Sequence, residues 1–244
     1  MRLLFLDCET APNLVTTWGL FNQNISLNQI IRPGYTLCWA AKWAGQDEVH
    51  FSSIMHGATR MVKGIHALMS KADAVAHYNG NKFDIPVLQK EFLLRSLPPP
   101  APAQQIDLLK VARKQFRLAS NKLDFVAGAL GLGHKHQHKG HELWLECMAK
   151  KKEAWEVMEA YNRQDVLLLE KVYERMKPWI PSHPNLSVMS DTFCCPRCAS
   201  TNYQKRGHTA SSSCRYVRFR CNDCGGWFRL NVKEPQQKTH AVQI

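Results

Sequence analysis

The chain sets four carboxylates, Asp7, Glu9, Asp84 and Asp165, at the ends of segments whose own pattern is that of core elements. That placement restricts the fold more than any other feature of the sequence. In LFLDCET an apolar run of strand type stops on Asp-x-Glu, and residues two apart on an extended strand point to one face. In HYNGNKFD, the apolar strand over 72–76 leads into a glycine-containing turn that closes on Asp84. In YNRQD, Tyr161 and Asp165 are four apart in a long amphipathic stretch and so share a helix face. Singly these residues are ordinary: Asp84 or Asn79 serves as a cap or turn residue, Asp165 as a surface acid. A fold that gathers all four needs cations to offset their repulsion, and hard oxygen ligands of this kind suit Mg²⁺ or Mn²⁺.

The segments around these acids predict an α/β layer sandwich with a partly parallel sheet. Residues 2–6 read as a buried strand, and 36–53 as two strands around a turn at Gly45. Residues 61–72 have helical spacing, 72–78 is a strand, and 83–97 a helix whose early Pro86 suits a first turn. PPPAPA (98–103) is a stiff surface connection. A short strand then runs into a helix at 104–116, with Asp107 either a strand-end cap or a group behind the site. A further helix opens at Asn121 and closes near Gly131 or Gly133. The last is long, 151–176, with Val157, Val166, Leu169 and Val172 facing the sheet.

Composition narrows the partner. Thirty-two Lys and Arg against 20 acids give a net charge of +12, which points to a polyanion and most simply to nucleic acid. The excess is densest after position 190, where nine bases face three acids. The short apolar run at the N-terminus is interrupted by acids and predicts no signal peptide. No stretch approaches the roughly 18 apolar residues of a membrane helix, so no membrane partner is expected. A soluble, cytoplasmic protein is expected, in a host cytoplasm if the gene is viral. A reducing compartment favours metal over disulfides for the nine cysteines.

The segments LDCET, NGNKFD and YNRQD resemble the three motifs of the DEDD 3′–5′ exonucleases of the RNase H-like superfamily, the fold of the proofreading domains of DNA polymerases. Tyr-x-x-x-Asp resembles the tyrosine branch, because the histidine branch would set His where this chain has Ala160. The resemblance spans about residues 1–176. It implies a mixed five-stranded sheet flanked by helices and two catalytic Mg²⁺ or Mn²⁺ ions. It also implies roles: Asp7 bridges the ions, Glu9 and Asp165 complete the nucleophile-side ion, and Asp84 holds the second through water. Tyr161, whose phenol ordinarily titrates near pH 10, would orient the attacking water. Asn79, Gly80, Asn81 and Phe83 would line the 3′-terminal nucleotide pocket, with Phe83 either stacking there or lying in the core. No polymerase domain follows, so the chain resembles a free-standing exonuclease of the sort phages and bacteria encode. In the basic stretch HKHQHKGH (134–141), Lys135 and Lys139 are candidate phosphate contacts.

Two C-x-x-C pairs, Cys195/Cys198 and Cys221/Cys224, supply four thiolates for a tetrahedral Zn²⁺, and the stretch resembles a zinc ribbon. Cys194 competes for the first ligand position, but 195/198 keeps the two-residue spacing. A segment of this size needs the metal to fold. Arg206, Arg215, Arg218 and Arg220 interleave with aromatic residues including Trp227, and alternation puts Tyr216, Arg218 and Arg220 on one strand face. Cations beside rings suit single-stranded nucleic acid. The expected layout is a nuclease domain over 1–176, a proline-containing linker over 177–191, the ribbon over 192–234 and a flexible tail over 235–244.

These readings converge on a two-metal 3′–5′ exonuclease that removes nucleotides from unpaired DNA ends, with the ribbon gripping substrate or contacting replication or repair proteins. An RNA exonuclease, or a non-catalytic nucleic-acid-binding protein on a nuclease fold, is the alternative, and the intact set of acids argues against the second.

Overall fold

A computed structural model of the chain describes residues 1–212 and 214–230. The expected tail over 235–244, and the last four residues of the expected ribbon, lie outside the described residues. The chain divides into two compact units, Arg2–Tyr173 and a C-terminal unit that begins at Glu174. No helix among the described residues is long and apolar enough to cross a membrane.

The larger unit opens with β1 (Leu3–Thr10), then a short ladder of β2 (Leu14–Val15) and β3 (Ile30–Arg32), and then β4 (Thr36–Trp43) and β5 (Val49–Ser53). Helix α1 (Ala58–Met69), strand β6 (Ala74–His77), helix α2 (Asp84–Leu94), strand β7 (Gln104–Asp107) and helix α3 (Leu108–Gln115) follow. It closes with α4 (Leu123–Ala129), α5 (His141–Met148) and the long α6 (Lys152–Met176), which belongs to it as far as Tyr173. The five-stranded sheet runs β5-β4-β1-β6-β7. β4 is antiparallel to β1 and β5, whereas β1, β6 and β7 are mutually parallel, which makes the sheet mixed.

The centre of the sheet is buried on both faces, which is why Leu3–Leu6 and Thr36–Trp43 read as continuous apolar runs instead of alternating ones. On one face Leu4 and Leu6, with Trp39 and Val75, pack against α1 and α2 through Val62, Ile65, Leu88 and Phe92. On the other, Leu37 and Cys38 pack against α5 and α6 through Leu143, Trp155, Met158 and Tyr161. Phe5 meets Tyr173 of α6 edge to face at 5.3 Å. The one charged residue inside β4, Lys42, is buried and compensated by Glu170 of α6 at 2.5 Å.

Three details differ from expectation. Helix α4 starts at Leu123, and its flanking Lys122 makes no side-chain cap, so Asn121 does not open it. Its end follows a Schellman pattern: Gly131, at φ +68°, donates to Gly128 O, and Leu132 donates to Ala127 O. Helix α5 begins at the last residue of the stretch read as a basic loop. It is eight residues long with only Leu143 and Cys147 buried, too little apolar periodicity to register in a sequence. The β2–β3 ladder is likewise too short, and its intervening segment turns Trp18, Leu20 and Phe21 outward.

The C-terminal unit carries a three-stranded antiparallel sheet, ordered β10-β9-β8, from β8 (Tyr203–Ala210), β9 (Arg215–Cys221) and β10 (Trp227–Arg229). Its inner face is an aromatic cluster of Phe193, Tyr203, Phe219 and Phe228, with ring centroids 5.2–5.9 Å apart.

Candidate active site and cysteine centre

Strand β1 runs on past its parallel neighbour β6. Its pairing with β6 stops at Phe5–Ala76, so the Cys8 N–H is not taken by the next strand. It donates to Asp84 Oδ1 at 2.9 Å, which fixes the first residue of α2 beside Asp7. The pleat sends Phe5, Asp7 and Glu9 toward α6 and Leu4, Leu6 and Cys8 the other way. Helix α6 answers with Tyr161, Asn162 and Asp165, all buried. Carboxylate oxygens of Asp7, Glu9 and Asp165 lie within 4.8 Å of one another. Asp84 stands beside this triad without joining it, and is itself buried.

The electrostatics follow from that crowding. Burial pushes the Asp7 carboxyl well above the usual range, reinforced by Asp84, Glu9 and Asp165. Burial and then Asp165 push Glu9 up to about 8. Burial raises Asp84 to about 6 against the opposing hydrogen bonds from Cys8. Asp165 is raised by burial and partly restored by Lys135 and Tyr161. Lys135 Nζ donates to Asp165 Oδ2 at 2.5 Å and to the Tyr161 oxygen at 3.1 Å. Burial followed by the three acids raises the Tyr161 phenol, so it stays protonated at neutral pH and serves as a hydrogen-bond donor.

The triad fits divalent cations. Carboxylates held this close are favourable when ionised only with added positive charge, and Asp165 Oδ1 and Asn162 Oδ1 are buried acceptors with no protein donor.

The remaining expected residues are distributed around this centre. Asn79 takes a left-handed φ of +71° and donates its N–H to Asp107 Oδ1 at 3.0 Å. Asp107 also caps α3 through the N–H groups of Leu109 and Lys110, so it is a strand-end cap. Gly80 N donates to His77 Nδ1 at 3.0 Å, and Asn81 also bonds the His77 ring. Phe83, at the mouth of α2, is 42 % exposed and so is not a core residue. Lys135, expected on a phosphate, lies with its Nζ on Asp165; Lys139 is exposed and touches none of the acids.

Three further residues contribute to the centre. Asn162 Nδ2 donates to Asp7 Oδ2 at 2.6 Å; its spacing of three from Asp165 could have placed it on the same helix face. Trp144 hydrogen-bonds Glu9, and His138 packs on Tyr161 at 4.7 Å. Both sit in or beside α5, which the sequence did not reveal.

In the C-terminal unit the sulfurs of Cys195, Cys198, Cys221 and Cys224 lie within 4.8 Å of one another. The Cys195–Cys224 and Cys198–Cys221 separations are 3.7 and 3.6 Å. A tetrahedron with Zn–S bonds of about 2.3 Å has edges of about 3.8 Å, so this donor set fits zinc. Cys194 is buried outside the cluster. On the outer sheet face Arg218 stacks over Trp227 at 4.8 Å and Arg229 over Tyr216 at 3.8 Å. Arg220 pairs across the ladder with Trp227; Arg206 accepts from Arg218 through its carbonyl, and Arg215 bonds His208.

A family model described as the RNase H superfamily matches residues 4–177. Among solved structures, that of the family B DNA polymerase from the hyperthermophilic archaeon Pyrobaculum calidifontis is similar, with a TM-score of 0.54 and 17 % identity over 72 % of this chain. At that identity the likeness is one of fold, and this chain covers 24 % of the polymerase chain. Comparison with curated protein sequences gives no match.

Proposed function

The chain belongs to the RNase H superfamily, matched over residues 4–177, and on that premise we propose that it is a divalent-metal-dependent 3′–5′ exonuclease acting on unpaired DNA ends. The observation that carries the reading is the meeting of Asp7 and Glu9 from β1 with Asp165 from α6, beside Asp84 and a protonated Tyr161. Cations held by these carboxylates would supply an activated water and stabilise charge on the leaving oxygen. Asn162 fixes the rotamer of Asp7 through its 2.6 Å bond. Tyr161, a donor with no accessible proton loss at neutral pH, orients the attacking water instead of acting as a base.

The 3′-to-5′ polarity and the tyrosine branch rest on the resemblance of LDCET, NGNKFD and YNRQD to polymerase proofreading motifs. The similar solved structure, being that of a DNA polymerase, is in keeping with DNA as substrate. Residues 1–176 are then the nuclease domain and 192–234 a zinc ribbon joined by 177–191. The ribbon's outer face, with Arg218, Arg220 and Arg229 beside Tyr216 and Trp227, grips a single strand by phosphate contact and base stacking.

Digestion of end-labelled single-stranded DNA, duplex DNA and RNA with Mg²⁺ or Mn²⁺ tests the reading. Successive shortening of DNA from the 3′ end is expected, and Asp7→Ala should abolish it without abolishing binding. Internal cuts or 5′ shortening would refute the polarity, and faster trimming of RNA would refute the substrate. Binding without cleavage under both metals would leave a non-catalytic binding protein.

A further inference from the structure

Residues 10–31 contain no Asp, Glu, Lys, Arg or His, in a chain whose net charge is +12. They hold β2, most of β3 and the segment between them. Within them Trp18, Leu20, Phe21 and Leu27 are 83–102 % exposed, and Ile25 and Ile31 are exposed as well. None of these six enters the apolar clusters on the two faces of the five-stranded sheet. The segment is nonetheless pinned. At its base Ala11 N donates to Tyr35 O at 2.8 Å and Gly34 N to Asn13 Oδ1 at 2.6 Å. Across the ladder Thr16 N donates to Gln29 O, and Gln29 Nε2 donates back to Thr16 O, both at 2.9 Å. Ser26 N donates to Gln29 Oε1 at 2.9 Å. Much of the hydrogen bonding is thus internal, while the apolar side chains face solvent.

At about 150–250 Å² for a large ring and somewhat less for an aliphatic side chain, these six present roughly 1,000 Å² of surface. The largest apolar patch of an ordinary monomer is about 300–600 Å², and a stable protein interface takes about 800 Å² from each partner. A two-stranded ladder is also marginal in water unless something covers it. The composition says what covers it. Aromatic and aliphatic side chains among neutral Asn, Gln, Ser and Thr, with charge excluded, match the centre of a protein interface. Nucleic acid is disfavoured, because residues 10–31 hold no cation to meet a phosphate. Two chains of +12 repel each other through their basic surfaces, whereas this face carries no charge to repel its own copy. An isologous contact needs no second, complementary patch, since the same face serves both partners. We propose that this face joins two copies of the chain about a two-fold axis, with Trp18 and Phe21 of each packed on the apolar side chains of the other. The interface is independent of the nuclease reading.

Sedimentation velocity of the full chain, over about 1–100 µM, reads the association directly. Wild type should pass from monomer to dimer mass within that range. Trp18→Ser/Phe21→Ser should weaken the dimer at least about tenfold, the loss of two large apolar anchors. Leu93→Ser/Leu94→Ser removes two exposed apolar side chains at the end of α2 and should leave the dimer unchanged. Melts of each variant at low concentration separate loss of contact from loss of fold, and Leu20→Ser/Leu27→Ser gives a second reading if the first variant unfolds. Raising salt from about 50 to 500 mM should tighten the dimer by screening the repulsion between basic chains, opposite in sign to phosphate binding. A wild type that stays monomeric at the highest concentration overturns the proposal. So do folded loop variants that associate as wild type does, or an α2 variant that weakens the dimer equally. If wild type is monomeric and Trp18→Ser/Phe21→Ser instead loses binding of a labelled hexathymidylate, the segment stacks on bases and the interface is overturned.

Discussion

Lys135 Nζ stands 2.5 Å from Oδ2 of Asp165, so the carboxylate centre has an ammonium built into it. The lysine comes from the 133–140 connection, which is anchored by Asp124 and flanked by Gly133 and Gly140 at positive φ. It offsets part of the repulsion among Asp7, Glu9 and Asp165, and it occupies space and charge that a divalent cation would also use. Lys135→Ala should therefore destabilise the metal-free protein by about 1–2 kcal/mol, a Tm loss of roughly 2–8 °C for a chain of this size. The same variant should show a larger Tm gain than wild type on adding Mn²⁺. Thermal melts with and without the ion check both; an unchanged metal-induced gain would mean that the ammonium does not balance this site.

The raised carboxyls set a pH dependence whose sign is fixed. Burial and Asp165 lift Glu9 to about 8, and burial lifts Asp84 to about 6, both above the ordinary values of 4.5 and 3.8. Between those limits the folded chain holds protons that the unfolded chain has released. Their contribution to stability is present at the acid end and is lost as pH rises through about 6 and then about 8. A divalent cation needs the deprotonated forms, so its binding should tighten over the same window and release protons. Melts at intervals from pH 5 to 8 should show the Mg²⁺-induced Tm gain widening steadily with pH. Calorimetry in buffers of different ionisation enthalpy should register the released protons, and a flat gain would contradict the shifts.

The strands and helices that position the acids were legible because each carries its own period: the unbroken apolar run of β1, and the buried stripe Val166, Leu169 and Val172 on α6. The acids were legible because they break those patterns at element ends. Trp144 and His138 were not, since α5 has only two buried apolar residues and gains its order from packing on Trp155 and Met158. Lys135 was legible as a cation but not in its place. Nothing local says that a basic connection folds back onto Asp165; that depends on Asp124 holding its backbone N–H.

Gly80 is held against His77 closely enough to make a substitution there informative. A Cβ at Gly80 would stand 2.4 Å from His77 Cγ, and the ring is buried, bonded to Gln105 and accepting from the Gly80 N–H. Gly80→Ala should cost about 1–3 kcal/mol by overpacking and should displace the turn that delivers Asp84. His77→Ala added to Gly80→Ala should recover part of the stability by making room. A thermal melt of each variant decides it: equal stability of Gly80→Ala and wild type would mean the turn yields without cost.

The two cysteine knuckles share one backbone solution but not one residue. In each, the residue after the second cysteine is left-handed and donates its N–H to the first cysteine's carbonyl: Gly225, at φ +74°, to Cys221 and Ala199, at φ +58°, to Cys195. Alanine pays a steric cost there of about 1 kcal/mol that glycine does not. Ala199→Gly should slow zinc loss to a competing chelator, whereas Gly225→Ala should hasten it. Chelator-indicator kinetics would show either ordering.

Metal content separates the two centres. Four sulfurs 3.6–3.7 Å apart in cross-knuckle pairs suit one Zn²⁺, and the oxygens of Asp7, Glu9 and Asp165 suit harder cations. Asp7→Ala should leave about one zinc per chain by elemental analysis while removing the Mg²⁺-induced Tm gain. Cys221→Ser should do the reverse, because losing one thiolate leaves an incomplete tetrahedron on a segment too small to fold without its metal. The carboxylate unit, with its own core on both faces of the five-stranded sheet, keeps its response to Mg²⁺ in that variant. Full zinc content in Cys221→Ser would remove the four-thiolate site, and zinc loss in Asp7→Ala would mean the two centres are not independent.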